Sequence, residues 1–435
     1  MNSVPKNFGK GKEAFIPSAI NLKSVLITNH KGESFNISPI VSSFSITESI
    51  YSTSLIVSLT VVDANNAIET IKIIGQEKIS FVITRNKHED GADEEVKLDL
   101  TITDIPKYSR SDNEYVQSYV ISAVASFAVV DKTLKISRSY NNNTIDEIKK
   151  ILNTDLSVTD LVELGSAISR SKGLLRWQNP LQAVEHFRKN SFNDVGSPFY
   201  VFQRLNGQVV IAAQSDLVAE EVHETYFDGK QFTGKALTQD DYIQRRTRII
   251  SCDSNLKFGK TFNSVAGAYA SENNYLDYGN KTYTKLDFTY NDFPLGNTLN
   301  QNSSLSTTAE IDYSTTFKAH CEYISTNEFA FEGATKNNNN LRKENGHVVK
   351  SFSENLDATT HDVELFGDSF LNAGRVIELK FPKSQDPLTR DTSQAEIYDD
   401  NLSGKYLIIS AVHTSKDGEY FTNVRVKKDS MSVTL

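Results

Sequence analysis

Three histidine–carboxylate neighbours carry the residue types from which a metal or general-base site is built: His88-Glu89-Asp90, His223-Glu224 and His361-Asp362. A helical zinc-protease site needs a second histidine four residues on, so that both imidazoles share one helix face, and His223-Glu224 has none. His88-Glu89-Asp90 falls in the charged run KHEDGADEEVK, where a solvated loop tip accounts for it without a metal. His361-Asp362 lies beside an expected strand and reads as a surface pair. Arg245 to Arg248, RRTR, offers a phosphate cluster or, more simply, an alternating basic face on a strand. The two cysteines, Cys252 and Cys321, lack the spacing of a zinc site or a redox pair. No G-x-S-x-G elbow, phosphate-cradling loop or dinucleotide fingerprint occurs. Glycosidase chemistry needs two carboxylates at a fixed separation, and among 55 acidic residues chance pairs are everywhere. The residues therefore point to no catalytic group, no cofactor-binding group and no metal ligand, and to a protein that is not an enzyme.

Composition narrows the rest. At 435 residues the chain exceeds one ordinary core. A net charge of -9 argues against a nucleic-acid or anionic-membrane binder, because both need a basic surface. It leaves open a protein that DNA must pass without sticking to it. The amino-terminal MNSVPKNFGKGKEAF has no apolar core of signal-peptide length, and no segment approaches 18 uninterrupted apolar residues, so no membrane span is expected. Two distant cysteines suit a reduced environment during synthesis and no disulfide scaffold.

From about residue 22 the pattern is that of strands. In SLIVSLTVVD, Leu55, Val57, Leu59 and Val61 share one face. DANN, Asp63 to Asn66, predicts a turn or a short helix start, and Gly75 a bend. LDLTITDIPKYSRSDNEYVQSYVISAV supplies two more strands. At SRSYNNNTIDEIKKILNTDL the period changes: Thr144 and Glu147 suggest a capping box, followed by Ile145, Ile148, Ile151 and Leu152 at helical spacing. A second helix begins at Asn179-Pro180, with Leu181, Val184 and Phe187 as its stripe. The only tryptophan, Trp177, lies between the two.

GSPFYVFQRLNGQVVIAAQSDL, residues 196–217, predicts a hairpin. Asn206-Gly207 suits a two-residue turn with both central residues at positive φ, which sets Phe202 opposite Ile211 and Tyr200 opposite Ala213. Gly196, Pro198, Phe199, Tyr200, Phe202, Asn206 and Gly207 are the candidate packing residues, and both faces are apolar enough to require cover. Beyond about residue 220 short strands and long loops are expected. TKNNNNLRKENGH reads as a mobile loop, SQDPLTRDTSQAEIYDDN as an acidic loop, and a last hairpin forms around Asp417-Gly418. The fold class is α+β, β-dominated.

Several separated blocks resemble, in order, the baseplate hub protein of T-even-type contractile-tailed bacteriophages. SFSITESIYSTSLIVSLTVVDANNAIETIKIIGQEKISF is similar to that family's first tube-like β module. ITDIPKYSR and KISRSYNNNTIDEIKKIL are similar to its exit into an insert, and NPLQAVEHFRKNSF with GSPFYVF to the helix and hairpin that follow. SVAGAYASENNYLDYGNKTYTKLDFTYNDF resembles the second module. GDSFLNAGRVIELKFP and LSGKYLIISAVHTSKDGEYFTNVRVKKDS resemble the closing segment. The resemblance covers most of residues 35–430.

It implies two tail-tube-like β-barrel modules with a small helical insert, in a trimeric ring. The expected division is 1–138 for the first module, 139–192 for the helical insert and 193–245 for the hairpin return. Residues 246–380 form the second module and 381–435 the closing β segment. The implied role is a homotrimeric symmetry adaptor joining a six-fold tail tube, or its initiator protein, to a three-fold central spike, with baseplate wedge proteins around it. DNA passes the channel without specific binding, the location is the virion tail baseplate assembled in the host cytoplasm, and no cofactor is implied. Alternatives are the hub of another contractile injection particle, of bacteriocin or secretion-system type, and a tail-associated peptidoglycan hydrolase.

Overall fold

Alternating burial along the strands organises most of the chain. The computed structural model describes residues 20–86, 93–110, 116–228, 247–255, 260–277, 281–290, 298–300, 313, 318–324, 338–356, 359–383, 398–399, 401–416 and 419–431. His88-Glu89-Asp90, Arg245, Arg246 and the Asp417-Gly418 turn lie outside them.

The first module comprises β1 (Ile20–Thr28), β2 (Ser34–Asn36), β3 (Val41–Ser49), β4 (Ile56–Asp63), α1 (Ala67–Ile71), β5 (Lys78–Asn86), β6 (Asp93–Arg110) and β7 (Gln117–Ala125). The strands run β3-β4-β7-β6-β5-β1-β2, all antiparallel. Leu55, Val57, Leu59 and Val61 are all fully buried, as their shared face requires. The sheet curls on itself: Phe44 of β3 and Phe81 of β5, with three strands between them in the order, meet edge to face at 5.4 Å between ring centroids. DANN does start a helix. Asp63 accepts from the amides of Asn65 and Ala67 at 2.8 and 2.6 Å, satisfying donors a helix start leaves open. Buried Glu77 does the same for the bend at Gly75, accepting from Ile74, Gly75 and Gln76.

The insert is mixed rather than purely helical. It contains α2 (Ser126–Thr133), β8 (Ile136–Asn143), α3 (Thr144–Lys150), β9 (Leu161–Leu164), β10 (Arg170–Gln178) and α4 (Pro180–Lys189), with β8 and β10 paired antiparallel. Ile145, Ile148, Ile151, Leu152, Val184 and Phe187 form its core. The expected Thr144–Glu147 capping box is replaced. β8 runs straight into α3, so Asn143 is the last extended residue and its Oδ1 accepts from the Ile145 amide at 2.9 Å. Thr144 is inside the helix, buried, with Oγ1 2.7 Å from Ser169 Oγ, and Glu147 accepts from Asn142. At α4 the expected start holds: Pro180 is in its first turn, and buried Asp131 of α2 accepts from the Leu181 amide at 2.6 Å.

The hairpin strands β11 (Phe199–Gln203) and β12 (Val209–Ala213) form a separate three-stranded sheet with β9, which runs parallel to β12. After α5 (Gln214–Val218) come β13 (Val222–Phe227), β14 (Ile249–Asn255), α6 (Lys260–Ala266), β15 (Ala270–Asp277), β16 (Thr282–Thr289), β17 (Lys318–Ile324), α7 (Asn338–Asn355), β18 (Thr359–Phe366), β19 (Val376–Lys380), β20 (Gly404–Lys416) and β21 (Glu419–Lys428). Of the stretch expected as a mobile loop, residues 338–347 lie in α7 and 335–337 lie outside the described residues. Val348 and Phe352 in the second half of the helix and Leu356 just beyond its end recur at i, i+4 and i+8, with Phe352 and Leu356 buried, and this packing outweighs the poor helix propensity of asparagine. Tyr269, Tyr275 and Tyr290 in the aromatic-rich region are buried packing residues.

The second module runs β13-β19-β20-β21-β18-β14, and its two ends meet where the Phe227 amide donates to the Thr247 carbonyl at 2.8 Å. Among the described residues neither module closes by continuous strand pairing. Instead β20 pairs with β3 from Ser410↔Ser49 to Lys416↔Ser43, making one sheet of both. The fold is α+β and β-dominated.

Candidate functional site

The hairpin is where the insert and the two modules meet. Asn193 Oδ1 accepts from the Ser197 amide at 2.8 Å, and Ser197 Oγ accepts from the Ser215 amide at 2.8 Å, tying the ends of the hairpin together. Gly196 has a φ of +79°, and a Cβ there would stand 2.7 Å from Val348 Cγ1 of α7. Pro198 forms an isolated bridge with Phe192.

The turn differs from the expected one. Leu205, Asn206 and Gly207 form a three-residue loop, closed by Arg204 N to Gln208 O at 2.9 Å and Gly207 N to Arg204 O at 2.9 Å. Only Gly207 takes a positive φ, +86°. A type I turn followed by one left-handed residue needs one glycine, whereas the expected turn needs positive φ at Asn206 as well. The extra residue shifts the register by one, to Phe199↔Ala213, Tyr200↔Ala212, Val201↔Ile211 and Phe202↔Val210. All ten strand residues are buried. Phe199, Val201, Val209, Ile211 and Ala213 face the insert core. Tyr200, Phe202, Val210 and Ala212 face Val376, Leu407 and Ile409 of the second module.

One carboxylate holds this arrangement. Glu48, 1% exposed on β3, accepts from the Leu205 amide at 2.7 Å through Oε2 and from the Ala373 amide at 2.9 Å through Oε1. The same Oε1 lies 3.4 Å from Nε2 of buried His413 on β20, whose Nδ1 is 2.7 Å from Tyr420 Oη. With Glu48 accepting, Nε2 of His413 donates to it. Arg204 Nε donates to the Ala373 carbonyl at 3.2 Å, and Gln203 Oε1 accepts from the Leu55 amide at 3.3 Å. Gly374, at φ +79°, leaves room for Phe202: a Cβ there would stand 2.7 Å from Phe202 Cζ. Nothing in this cluster is poised as a nucleophile; it satisfies buried backbone donors at a three-way joint.

Glu48 and His413 were not among the candidates from sequence. The signal was present: Phe44-x-Ile46-x-Glu48 and Ile409-x-Ala411-x-His413 place a polar residue on an otherwise buried strand face.

The same alternation takes His361-Asp362 apart. Asp362 points outward and makes a two-pronged pair with Arg425 at 2.7 and 3.0 Å. His361 points inward, fully buried, with Nδ1 2.8 Å from Ser254 Oγ and Nε2 3.0 Å from Tyr406 Oη. Burial, aided by the Lys428 charge, pushes His361 down to about 4. Burial likewise lowers Lys428 to about 8. His223 Nε2 meets Asp368 Oδ2 at 3.0 Å. Among the described residues no three His, Cys, Asp or Glu side chains gather as a metal site.

The opposite face of the joint strand is a different surface. Outward positions of β3 are Ser43, Ser45, Thr47 and Ser49; β7 presents Ser118, Val120, Ser122 and Val124; β20 presents Ser410, Val412 and Thr414. With Ile56, Ser58, Thr60 and Val62 of β4 between them, the centre of this face carries no charged residue.

No protein-family profile matches the sequence, and no curated protein matches it. Solved structures do. The 43 kDa tail protein of prophage MuSo2 from Shewanella oneidensis superposes with a TM-score of 0.52 at 11% identity, over 95% of this chain and 100% of that one. A tail protein from Neisseria meningitidis gives 0.51 at 12%, over 95% and 99%. The chain has the fold of phage tail proteins. That likeness extends over the modules, the insert and the hairpin joint together. At such identity it speaks for the fold, and the joint residues rest on the geometry above.

Proposed function

We propose that the chain is the structural hub of a contractile tail baseplate, a homotrimer that joins a six-fold tube to a three-fold spike and surrounds the DNA path. The observation that carries this reading is the single sheet in which β20 fuses two curled modules side by side. Three copies of a chain with two such modules present six, so a six-fold ring can sit on a three-fold object without a change of subunit. The tail-protein fold supports the same reading, as does the hairpin, whose two faces are packing surfaces. On this reading the chain is a structural part of the virion and not an enzyme.

The uncharged Ser/Thr/Val face of β3, β4, β7 and β20 is the proposed wall of the DNA path. Acidic charge is not concentrated there. Small side chains without positive charge offer phosphates no counterion, which keeps the duplex free to slide. Among the described residues no helix is long and apolar enough to cross a membrane, in keeping with a place in the particle.

Mass in solution, alone and with the candidate spike, tests the proposal. A species of three times the 48.6 kDa chain mass is expected, with the spike present if not without it. A chain that stays monomeric in both conditions overturns the hub, and peptidoglycan lysis by the purified chain would favour the hydrolase.

A further inference from the structure

We infer that the outer end of the insert is a docking surface for a partner protein that presents an apolar socket fringed by carboxylates. The inference rests on the structural-component reading above, and adds to it a named patch and the chemistry of what covers that patch.

Trp177, the only tryptophan in the chain, is 73% exposed. Its backbone lies at φ +48°, a region that bulky side chains rarely adopt, within the irregularity of β10 between Leu175 and Gln178. A regular strand would alternate its side chains; the bulge instead leaves Arg176 and Trp177 both exposed. The distortion is held rigidly. Next to it, buried Asn179 donates to the carbonyls of Asp131 and Leu134 and receives a hydrogen bond from Lys135 Nζ at 2.6 Å. The indole is thus presented by a fixed frame rather than by a loose loop. Leu174 is 57% exposed on the same strand, and Val130 of neighbouring α2 is 44% exposed.

Charge selects the occupant. β8 and β10 contain no acidic residue, although the whole chain has a net charge of -9. Exposed Arg176 lies beside Trp177 on β10, and exposed Lys135 and Lys132, the latter also 3.2 Å from buried Asp131, lie on the segment that Asn179 ties to it. Basic side chains around an exposed tryptophan complement a carboxylate-fringed apolar socket. Two copies meeting by this patch would oppose like charges. Nucleic acid would use the cations but bury neither Leu174 nor Val130.

The test uses tail particles from cells that encode the chain, with the purified chain as reference. Trp177 is the sole tryptophan, so its oxidation by hydroxyl radicals is read without ambiguity by mass spectrometry. Oxidation roughly fivefold or more slower in particles is expected, as for a residue central to an interface. A carbodiimide, which joins an amine to a carboxylate with loss of water, should link Lys132 or Lys135 to Asp or Glu of a different polypeptide. Leu174→Ser with Arg176→Glu should leave the melting temperature unchanged and abolish that link, whereas Ile74→Ser, at another exposed site (63% exposed), should not. Equal oxidation in both samples overturns the inference, as do links to a second copy of the chain or protection that nuclease treatment removes. Particles without the chain would instead remove the structural-component reading, and this inference with it.

Discussion

Glu48 Oε2 and the Leu205 amide, 157 residues apart in sequence, meet at 2.7 Å in the interior. The bond joins the first module to the tip of the hairpin, and the other oxygen of the same carboxylate holds Ala373 of the second module. Removing it strands two buried backbone donors and one imidazole proton at once. Glu48→Ala should therefore cost on the order of 3 kcal/mol, in the range for breaking a buried charged network. Glu48→Gln, which keeps one acceptor oxygen, should cost less. Urea unfolding of both variants reads the difference; equal and small effects would show that water replaces the carboxylate.

Gly374 and Phe202 predict a coupled pair. Gly374→Ala places a methyl group 2.7 Å from the ring at a positive φ, and should destabilise by about 2 kcal/mol through strain and overpacking. Phe202→Leu should relieve part of the clash, so the double variant should be more stable than the sum of the single costs. Additive costs would mean that the backbone strain alone matters.

Phe202→Asp should prevent folding or assembly. It puts a carboxylate between Val376, Leu407 and Ile409 with no partner. Soluble, trimer-forming Phe202→Asp protein would refute the packing role of the hairpin.

His361 gives a pH signature. Its folded value is about 4 against an ordinary 6.5, so between those values the unfolded chain takes up a proton that the folded chain refuses. Stability is complete above 6.5 and is lost as pH falls toward 4. The full span amounts to about 3 kcal/mol at roughly 1.4 kcal/mol per pH unit. His361→Gln should flatten this slope between pH 6.5 and 4 in denaturation measured at several pH values. An unchanged slope would assign the acid sensitivity to other groups.

Asp362→Asn should change stability by less than about 0.5 kcal/mol, because its pair with Arg425 is half exposed and water screens it. Measured beside His361→Gln at neutral pH, it tests whether strand alternation separates these adjacent residues into inner and outer roles. A loss comparable to that of Glu48→Ala would contradict the surface assignment.

Much of this architecture is legible in the sequence, for local reasons. Leu55, Val57, Leu59 and Val61 announce a buried face by period, and Asn179-Pro180 announces a helix start by the chemistry of its donors. What escapes is set by distant contacts. Asn143 rather than Thr144 caps α3 because β8 runs directly into it. The Asn-rich stretch becomes helical because Phe352 and Leu356, further along, find a core. The turn has three residues instead of two, and the one-residue slip sets Val210 and Ala212, not Ile211 and Ala213, beside Phe202 and Tyr200. Glu48 stands out by its place on an apolar face, but its three partners come from residues 205, 373 and 413. No window of sequence contains them all.

The ladder between β3 and β20 has a mechanical meaning. Its seven paired residues run antiparallel, from Ser410↔Ser49 to Lys416↔Ser43. A pull along the strands loads all these hydrogen bonds together in shear, whereas a pull across them would open them one after another. Under the proposed hub role, the thrust of a contracting tail along one axis is resisted as by a single plate when the strands lie along that axis, and opens the ladder like a zipper when they lie across it.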